Sequence, residues 1–345
     1  MAHKTKVTIF DVAKASGVSS SAVSYALNDK PGVSEATRAK VLKVARDLGW
    51  KPNGAAQSLA QSKTRRIGMV LGYDPKLLAV EPYMMSLIAG LGARLETQDY
   101  SLLVRMSMDE DDEEGIIRDW VATGNVDALL LLNLEIGDPR IELMKHNPQM
   151  PALAIADPSL TDGLPTLASD DAGAVGIAVQ HLYDLGHRSI ARVAGPEELG
   201  HSYIRDAAFS QMTTELGMRY RCLHTDYTPE AGADATKRLL SVRPAPTAII
   251  YDNDVMALAG ESQAEVMGVT VPTDLSIMSW DDSFMCEAAH PGITALRRDI
   301  VGSGRQAADL LLKLISGEDV GVEEESPYQL EVRQSTAIAP EAMAA

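Results

Sequence analysis

The chain has 345 residues, 46% of them hydrophobic and 23% charged, which is long enough for two or three domains with sizeable cores and too apolar for a disordered chain. A net charge of −17 would repel a polyanion, yet the charge is divided. Residues 1–66 carry 12 Lys/Arg against 4 Asp/Glu, a net of +8, and the other 279 residues carry 19 against 44, a net of −25.

No apolar signal segment precedes the first helix, and the longest greasy run, Ala128 to Leu132, is far too short to span a bilayer. The expectation is a cytoplasmic protein with no membrane partner. Cys222 and Cys286 are widely separated and lack C-x-x-C spacing, so neither a disulfide framework nor a metal site is expected. No H-E-x-x-H, P-loop or G-x-S-x-G occurs, so no cofactor and no enzyme activity are expected. Gly302-Ser303-Gly304 followed by Ala307 matches a dinucleotide fingerprint only weakly and reads as a helix start.

In chain order, Thr8 with Asp11 three residues on forms a capping box that opens a first helix, and Gly17 stops it. Ser19 caps a second helix with Ala22, Val23, Ala26 and Leu27 on an apolar face and Ser20, Ser21, Ser24 and Tyr25 on the other. Small hydroxyl side chains near a helix N-terminus suit a DNA major groove, because nothing bulky blocks approach and hydroxyls donate or accept at base edges. After the turn Asn28-Asp29-Lys30-Pro31-Gly32, Ser34 opens a third helix with Val41, Leu42, Ala45 and Leu48 as its buried stripe and Lys40, Lys43 and Arg46 exposed. Gly49 ends it, and Trp50 closes a three-helix head over residues 1–50.

Residues 51–66 read as a hinge helix and linker. The run from Pro52 to Ala60 is too short to stay helical alone, its alanines permit close approach of two copies, and Leu59 is shaped as an apolar wedge for the minor groove. From Ile67 onward apolar strands alternate with helices. Strands are predicted at 67–71, 100–104, 128–132, 152–155, 190–193, 248–251 and 275–280, and helices at 83–98, at 113–123 and from Asp171, Tyr203, Ala231 and Val255. Such alternation predicts a doubly wound parallel α/β body, in two sheets because roughly 270 residues exceed one core.

Taken together, the residues resemble the LacI/GalR family of ligand-responsive transcriptional repressors along essentially the whole chain. The head carries Thr8-Ile-Phe-Asp-Val-Ala, Gly17-Val-Ser, Val23-Ser-Tyr-Ala-Leu-Asn28, Val33-Ser-x-x-Thr-Arg38 and Pro52-Asn53. The body carries Ala168-Ser-Asp-Asp-x-Gly, Leu185-Gly-His-Arg, Ala194-Gly-Pro, Asn253-Asp254-x-Met-Ala and Asp281-Asp282. The fold class implied is a small all-α helix-turn-helix head plus two parallel α/β subdomains of periplasmic-binding-protein-like type. These would be 67–165 with 293–326 and 166–292 with 327–340, joined by crossovers near 166, 293 and 327, and 341–345 would be a tail.

The resemblance further implies a homodimer on a near-palindromic operator in double-stranded DNA. The DNA-contacting set would be Thr8, Ser19, Ser20, Ser21, Ser24, Tyr25 and Asn28 in the head, and Asn53, Ala56, Gln57 and Leu59 in the hinge. Many members carry Arg where this chain has Tyr25, so the strongest guanine reader is absent there and the resemblance does not imply which base pair that position selects. A small effector, a saccharide by its matching chemistry, would sit between the subdomains against Arg205, Asn253 and Asp281, with Tyr227 and Trp280 offering flat faces and Tyr73 and Asp157 reaching from the first subdomain. The body ends soon after Pro340, which leaves no room for a heptad tail, so a dimer rather than a tetramer is expected. The competing reading, a solute-binding or sugar-sensing protein with no direct DNA role, would share the body but needs an export signal and no head.

Overall fold

This computed structural model describes residues 7–50, 63–72, 75–107 and 110–340, and the chain divides into two units, 1–64 and 65–345. In the first unit, α1 (Ile9–Ser16), α2 (Ser20–Leu27) and α3 (Glu35–Asp47) pack on one another. At the start of α1 the Thr8 backbone N–H and hydroxyl both donate to Asp11 Oδ2, at 2.8 and 2.7 Å. Gly17 ends it with φ 69°, a left-handed C-cap that a β-carbon disfavours. The hydroxyls of Ser19 and Ser34 cap α2 and α3 by accepting from the Ala22 and Thr37 N–H groups.

Val12, Val23 and Val41 are fully buried where the helices cross, ringed by Ala13, Ala26 and Ala45, and Trp50 packs onto them. The expected stripe on α3 needs correction. Leu42 and Leu48 are 40% and 39% exposed, and Val44 joins Val41 and Ala45 in the core instead. The inward positions are spaced three and four apart, and Leu42 sits about a quarter turn further round.

The second unit holds two six-stranded sheets. The first comprises β1 (Arg66–Gly72), β2 (Ser101–Ser107), β3 (Ala128–Leu131), β4 (Ala152–Ile155), β5 (Thr166–Ala168) and β11 (Val322–Glu324), all parallel, in the order β11-β5-β4-β3-β1-β2. The second comprises β6 (Ser189–Ala194), β7 (Arg219–His224), β8 (Ala248–Tyr251), β9 (Ser276–Ser279), β10 (Thr294–Arg297) and β12 (Gln329–Glu331) in the order β12-β10-β9-β8-β6-β7, with the β10–β12 pair antiparallel. The helices are α4 (Pro75–Leu78), α5 (Pro82–Glu96), α6 (Glu110–Thr123), α7 (Pro139–Lys145), α8 (Asp171–Asp184), α9 (Gly200–Glu215), α10 (Pro229–Ser241), α11 (Asp254–Val266), α12 (Phe284–Ala288) and α13 (Ile300–Ser316). Each sheet is covered on both faces, which is why its central strands read as continuous apolar runs.

The lobe boundaries shift from those expected. β5 pairs with β4 in the first sheet and β10 with β9 in the second, so the chain crosses between lobes after Ala168 and after Arg297 rather than at 166 and 293. Each strand completes its ladder before the chain leaves the sheet, because a crossing any earlier would strand backbone donors. The third crossing runs through 325–328, between β11 and β12.

Helix α13 follows a strand of the second sheet but packs on the first, against α5. A β-carbon on Gly90 would come 2.1 Å from the Val301 carbonyl oxygen, and one on Gly304 2.4 Å from that of Leu87. Asp299 caps the helix through the Gly302 N–H at 2.8 Å. The glycine run at 302–304 therefore opens a helix and lets two helix backbones touch. Among the described residues no helix is long and apolar enough to cross a membrane.

Candidate functional site

Two surfaces carry the side chains singled out by sequence. On α2, Ser21 and Tyr25 are exposed, Tyr25 to 44%, and lie one helical turn apart. Tyr25 leans on the turn that follows, since a β-carbon on Gly32 would lie 3.5 Å from its ring. Ser20 and Ser24 are half-buried. Thr8, Ser19 and Asn28 serve as caps: Asn28 Nδ2 donates to the Ser24 carbonyl at 2.9 Å. These three hold the helix ends in place, while Ser21 and Tyr25 face outward. Asn53, Ala56, Gln57 and Leu59 lie outside the described residues, as does Tyr73.

In the body a cavity of about 80 Å³ opens between the two lobes, room for on the order of six waters at ~10–15 Å³ each. Water occupies roughly 30 Å³ in the liquid, so the space matches one small-ring ligand. From the second lobe Arg205, Tyr227 and Asp281 line it; from the first, Asp157, Tyr83 and Asn133. Two expected residues do not line it. Asn253 is buried as the N-cap of α11, its Oδ1 accepting from Met256 N–H at 2.8 Å and its Nδ2 donating to the Tyr227 carbonyl at 3.1 Å. Trp280 is fully buried beneath Arg205, whose guanidinium lies 3.9 Å from the ring centroid, and its Nε1 donates to the Tyr328 hydroxyl at 3.2 Å. Both shape the site from behind, because a helix cap uses up the amide and the guanidinium already covers the indole face.

The floor of the cleft is a line of ion pairs. Arg205 Nε donates to Asp171 Oδ1 at 2.8 Å, and its Nη1 lies 3.5 Å from Asp252 Oδ2. Asp252 is gripped by both prongs of Arg192, at 2.7 and 2.5 Å, and Arg192 also holds Asp206. Burial pushes the Asp252 carboxyl up, but Arg192 and then Arg205 outweigh it and bring it down to about 2. Asp171 is likewise held below its usual range, burial being overcome by Arg205. Arg205 therefore stays charged, and its fixed plane faces the cavity.

Asp281 is the opposite case. Burial pushes its carboxyl up to about 7, with Arg298 opposing and Asp254 adding to the rise. A carboxyl of this kind donates a hydrogen bond when protonated and accepts when ionised, so it can meet a ligand hydroxyl either way. His201 is pushed down to about 4 by burial and then by Arg205, and its Nε2 lies 2.8 Å from the Tyr227 hydroxyl. Asp157 Oδ1 accepts from the Ser159 N–H and hydroxyl at 2.9 and 2.6 Å, which fixes it at the rim.

Two contacts join the lobes around this cavity. Arg298, on the second crossing, pairs with Glu325 on the third at 2.5 Å, between the rings of Tyr83 and Tyr328. At the mouth Gly200 N–H donates to the Leu134 carbonyl at 2.8 Å, and Glu135 forms an isolated bridge with Leu199. A β-carbon on Gly200 would come 2.4 Å from Leu160 and 2.9 Å from the Leu134 oxygen. Sequence reading missed Asp171, His201, Asp252 and Arg298 as site residues. Asp171 and Asp252 stand inside or beside quoted motifs, whereas His201 and Arg298 carry no local signal.

Comparison with known proteins agrees with this geometry. The profile for bacterial regulatory proteins of the lacI family matches residues 8–53, and that for a periplasmic binding protein-like domain matches 179–336. The HTH-type transcriptional repressor CytR of Escherichia coli (strain K12) is 32% identical over 323 residues, 92% of this chain and 93% of its own. Among solved structures, a LacI family transcriptional regulator from Bifidobacterium animalis subsp. lactis DSM 10140 is 74% identical, with a TM-score of 0.76 over 80% of this chain and 99% of that one. The lac repressor dimer bound to operator and the anti-inducer ONPF is 26% identical with a TM-score of 0.86, covering 96% and 99% of the two chains. The complex of the transcriptional regulator CelR with cellobiose is 27% identical with a TM-score of 0.72, covering 96% and 100%. The chain belongs to the LacI family of bacterial regulatory proteins, as a transcriptional regulator with a helix-turn-helix DNA-binding head.

Proposed function

We propose that the protein is a cytoplasmic repressor that binds a near-palindromic operator as a homodimer, with an affinity set by a saccharide held between the lobes of its body. The observation that carries the ligand half is the convergence of Arg205, Asp281 and Asp157 on one small cavity floored by fixed ion pairs. A guanidinium held in one plane and a carboxyl able to donate or accept pair with neighbouring hydroxyls, and Tyr227 covers the C–H side of a ring. CelR, which has the same fold, is known in complex with cellobiose.

For the DNA half, Ser21 and Tyr25 are the side chains of α2 that reach base edges, backed by the net charge of +8 that residues 1–66 carry. Asn53, Ala56, Gln57 and Leu59 enter the central minor groove between the two heads. The lac repressor dimer, which is similar along nearly the whole chain, is bound to its operator. A ligand that favours one lobe arrangement changes operator affinity by the ratio of its affinities for the two arrangements.

The test is a thermal-shift screen of mono- and disaccharides against the full chain, followed by operator binding with and without each sugar that raises the melting temperature. A sugar that stabilises the protein and changes operator affinity supports the proposal. Stabilisation by sugars with no affinity for any duplex would favour a sugar-sensing protein without a DNA role.

A further inference from the structure

Strand β7 is the outer strand of the second sheet, and Tyr220, Cys222 and His224 alternate onto one of its faces. Helix α9 covers that face and brings Asp206 to it. His224 Nε2 lies 2.9 Å from Asp206 Oδ2, while Cys222 Sγ lies 3.5 Å from Asp206 Oδ1 and 3.9 Å from His224 Nε2. One ligand atom from each residue falls within 4.8 Å of the other two.

Tetrahedral zinc bonds of ~2.0–2.3 Å hold neighbouring ligand atoms roughly 3.4–3.6 Å apart, and the separations seen here straddle that range. A nucleophile triad needs the two ring nitrogens to face different partners, yet both Cys222 and Asp206 approach Nε2. Three ligand-type atoms gathered in this way suit one shared cation, which would take the place of the thiol proton that Cys222 directs at Asp206 Oδ1, better than a proton relay.

The surroundings support the same reading. The Oδ1 atom of Asp206, which faces Cys222, also accepts from Arg192, which is fully buried and is itself fixed by both oxygens of Asp252, and Oδ2 is turned to His224. A ligating carboxylate oriented from behind is what metal sites require. Asp206 and Cys222 are half-buried and His224 is exposed, so the open side faces solvent and a water can complete the coordination.

We propose that Asp206, Cys222 and His224 bind one divalent cation of the zinc class, through a thiolate sulfur, an imidazole nitrogen and a carboxylate oxygen. The thiolate selects against magnesium and calcium. Sequence spacing hid the site, because Cys222-x-His224 is a short strand pattern and the third ligand comes from a helix sixteen residues earlier. The site is separate from the ligand cleft, although Arg192 links Asp206 to the Asp252 carboxylate on the cleft floor.

The test is a cobalt(II) titration of the untagged full chain under reducing conditions, followed by optical absorption. One equivalent should give a thiolate-to-cobalt charge-transfer band with four-coordinate visible bands, and zinc should bleach both. Cys222→Ser should abolish the charge-transfer band, Cys286→Ser should leave it, and His224→Ala should weaken cobalt binding at least tenfold. No band at stoichiometric cobalt, or a band that survives Cys222→Ser, overturns the proposal. Alkylation of Cys222 in the unmutated chain, followed by mass spectrometry, gives a readout that does not depend on any variant folding. Zinc should slow it severalfold, and an unchanged rate overturns the site.

Discussion

The head and the cleft build their surfaces in opposite ways. The face proposed to read DNA is one eight-residue helix whose caps lie within a few residues of it, so Ser21 and Tyr25 are presented by local structure alone. The cleft draws Tyr83, Asp157, Arg205 and Asp281 from distant parts of the chain, and Arg205 at its floor rests on Asp171 and Asp252 from two other parts of the fold. Specificity on the head can therefore change at little cost in stability, whereas a change in the cleft disturbs folding and binding together.

The largest expected effect breaks that comparison at its buried end. Arg192→Met leaves Asp252 without its main partner in the interior and should cost about 3–5 kcal/mol, read by urea unfolding of the full chain. A cost below about 1 kcal/mol would mean that the ion-pair floor is not what holds the cleft. Next, Gly200→Ala places a β-carbon against Leu160 and the Leu134 oxygen, and should disfavour the closed mouth by about 1–3 kcal/mol. Small-angle scattering should then show a larger radius of gyration, and an unchanged radius would show that the contact does not hold the lobes together.

Acid–base behaviour sharpens the same contrast. The Asp281 carboxyl is raised to about 7 in the folded protein, so the folded state keeps its proton and stability is lost as pH rises from about 4 to about 7. Asp281→Asn should melt at the parental temperature near pH 4 and several degrees above it at pH 8. His201 and His187, pushed down to about 4 by burial, act in the other direction, and stability falls as pH drops from the ordinary histidine range toward 4. Parent and variant share that second loss, so the difference between their melting curves reports Asp281 together with the groups coupled to it, Asp254 among them. The smallest effect belongs to the head. Tyr25→Ala or Ser21→Ala should change unfolding free energy by no more than about 0.5 kcal/mol while altering which operator is preferred. An unchanged preference in both would mean that another face reads the bases.

What could be read from the sequence follows this division. The capping box at Thr8, the stops at Gly17 and Gly49 and the central strands are local signals, and the elements appear where those signals stand. The strands not anticipated lie at or near sheet edges. β7 alternates exposed and half-buried residues, and β11, Val322–Glu324, is exposed throughout. Neither segment has a fully buried position, so neither carries an apolar run to detect. In the cleft, family likeness pointed to Arg205 and Asp281, but it also pointed to Asn253 and Trp280, whose polar groups the fold spends on a helix cap and on Tyr328. His201 and Arg298 reach the cavity only through tertiary packing, which no local pattern encodes.

In the proposed division of labour a cationic head reads DNA while an anionic body senses a small molecule. Fluorescence anisotropy of the full chain with a labelled inverted repeat from beside its own gene, against a scrambled duplex of the same composition, tests it most directly. Binding should be at least a hundredfold tighter to the repeat, weakening steeply with added salt and shifting when a stabilising sugar is present. Equal affinity for the two duplexes, with and without sugar, would contradict it.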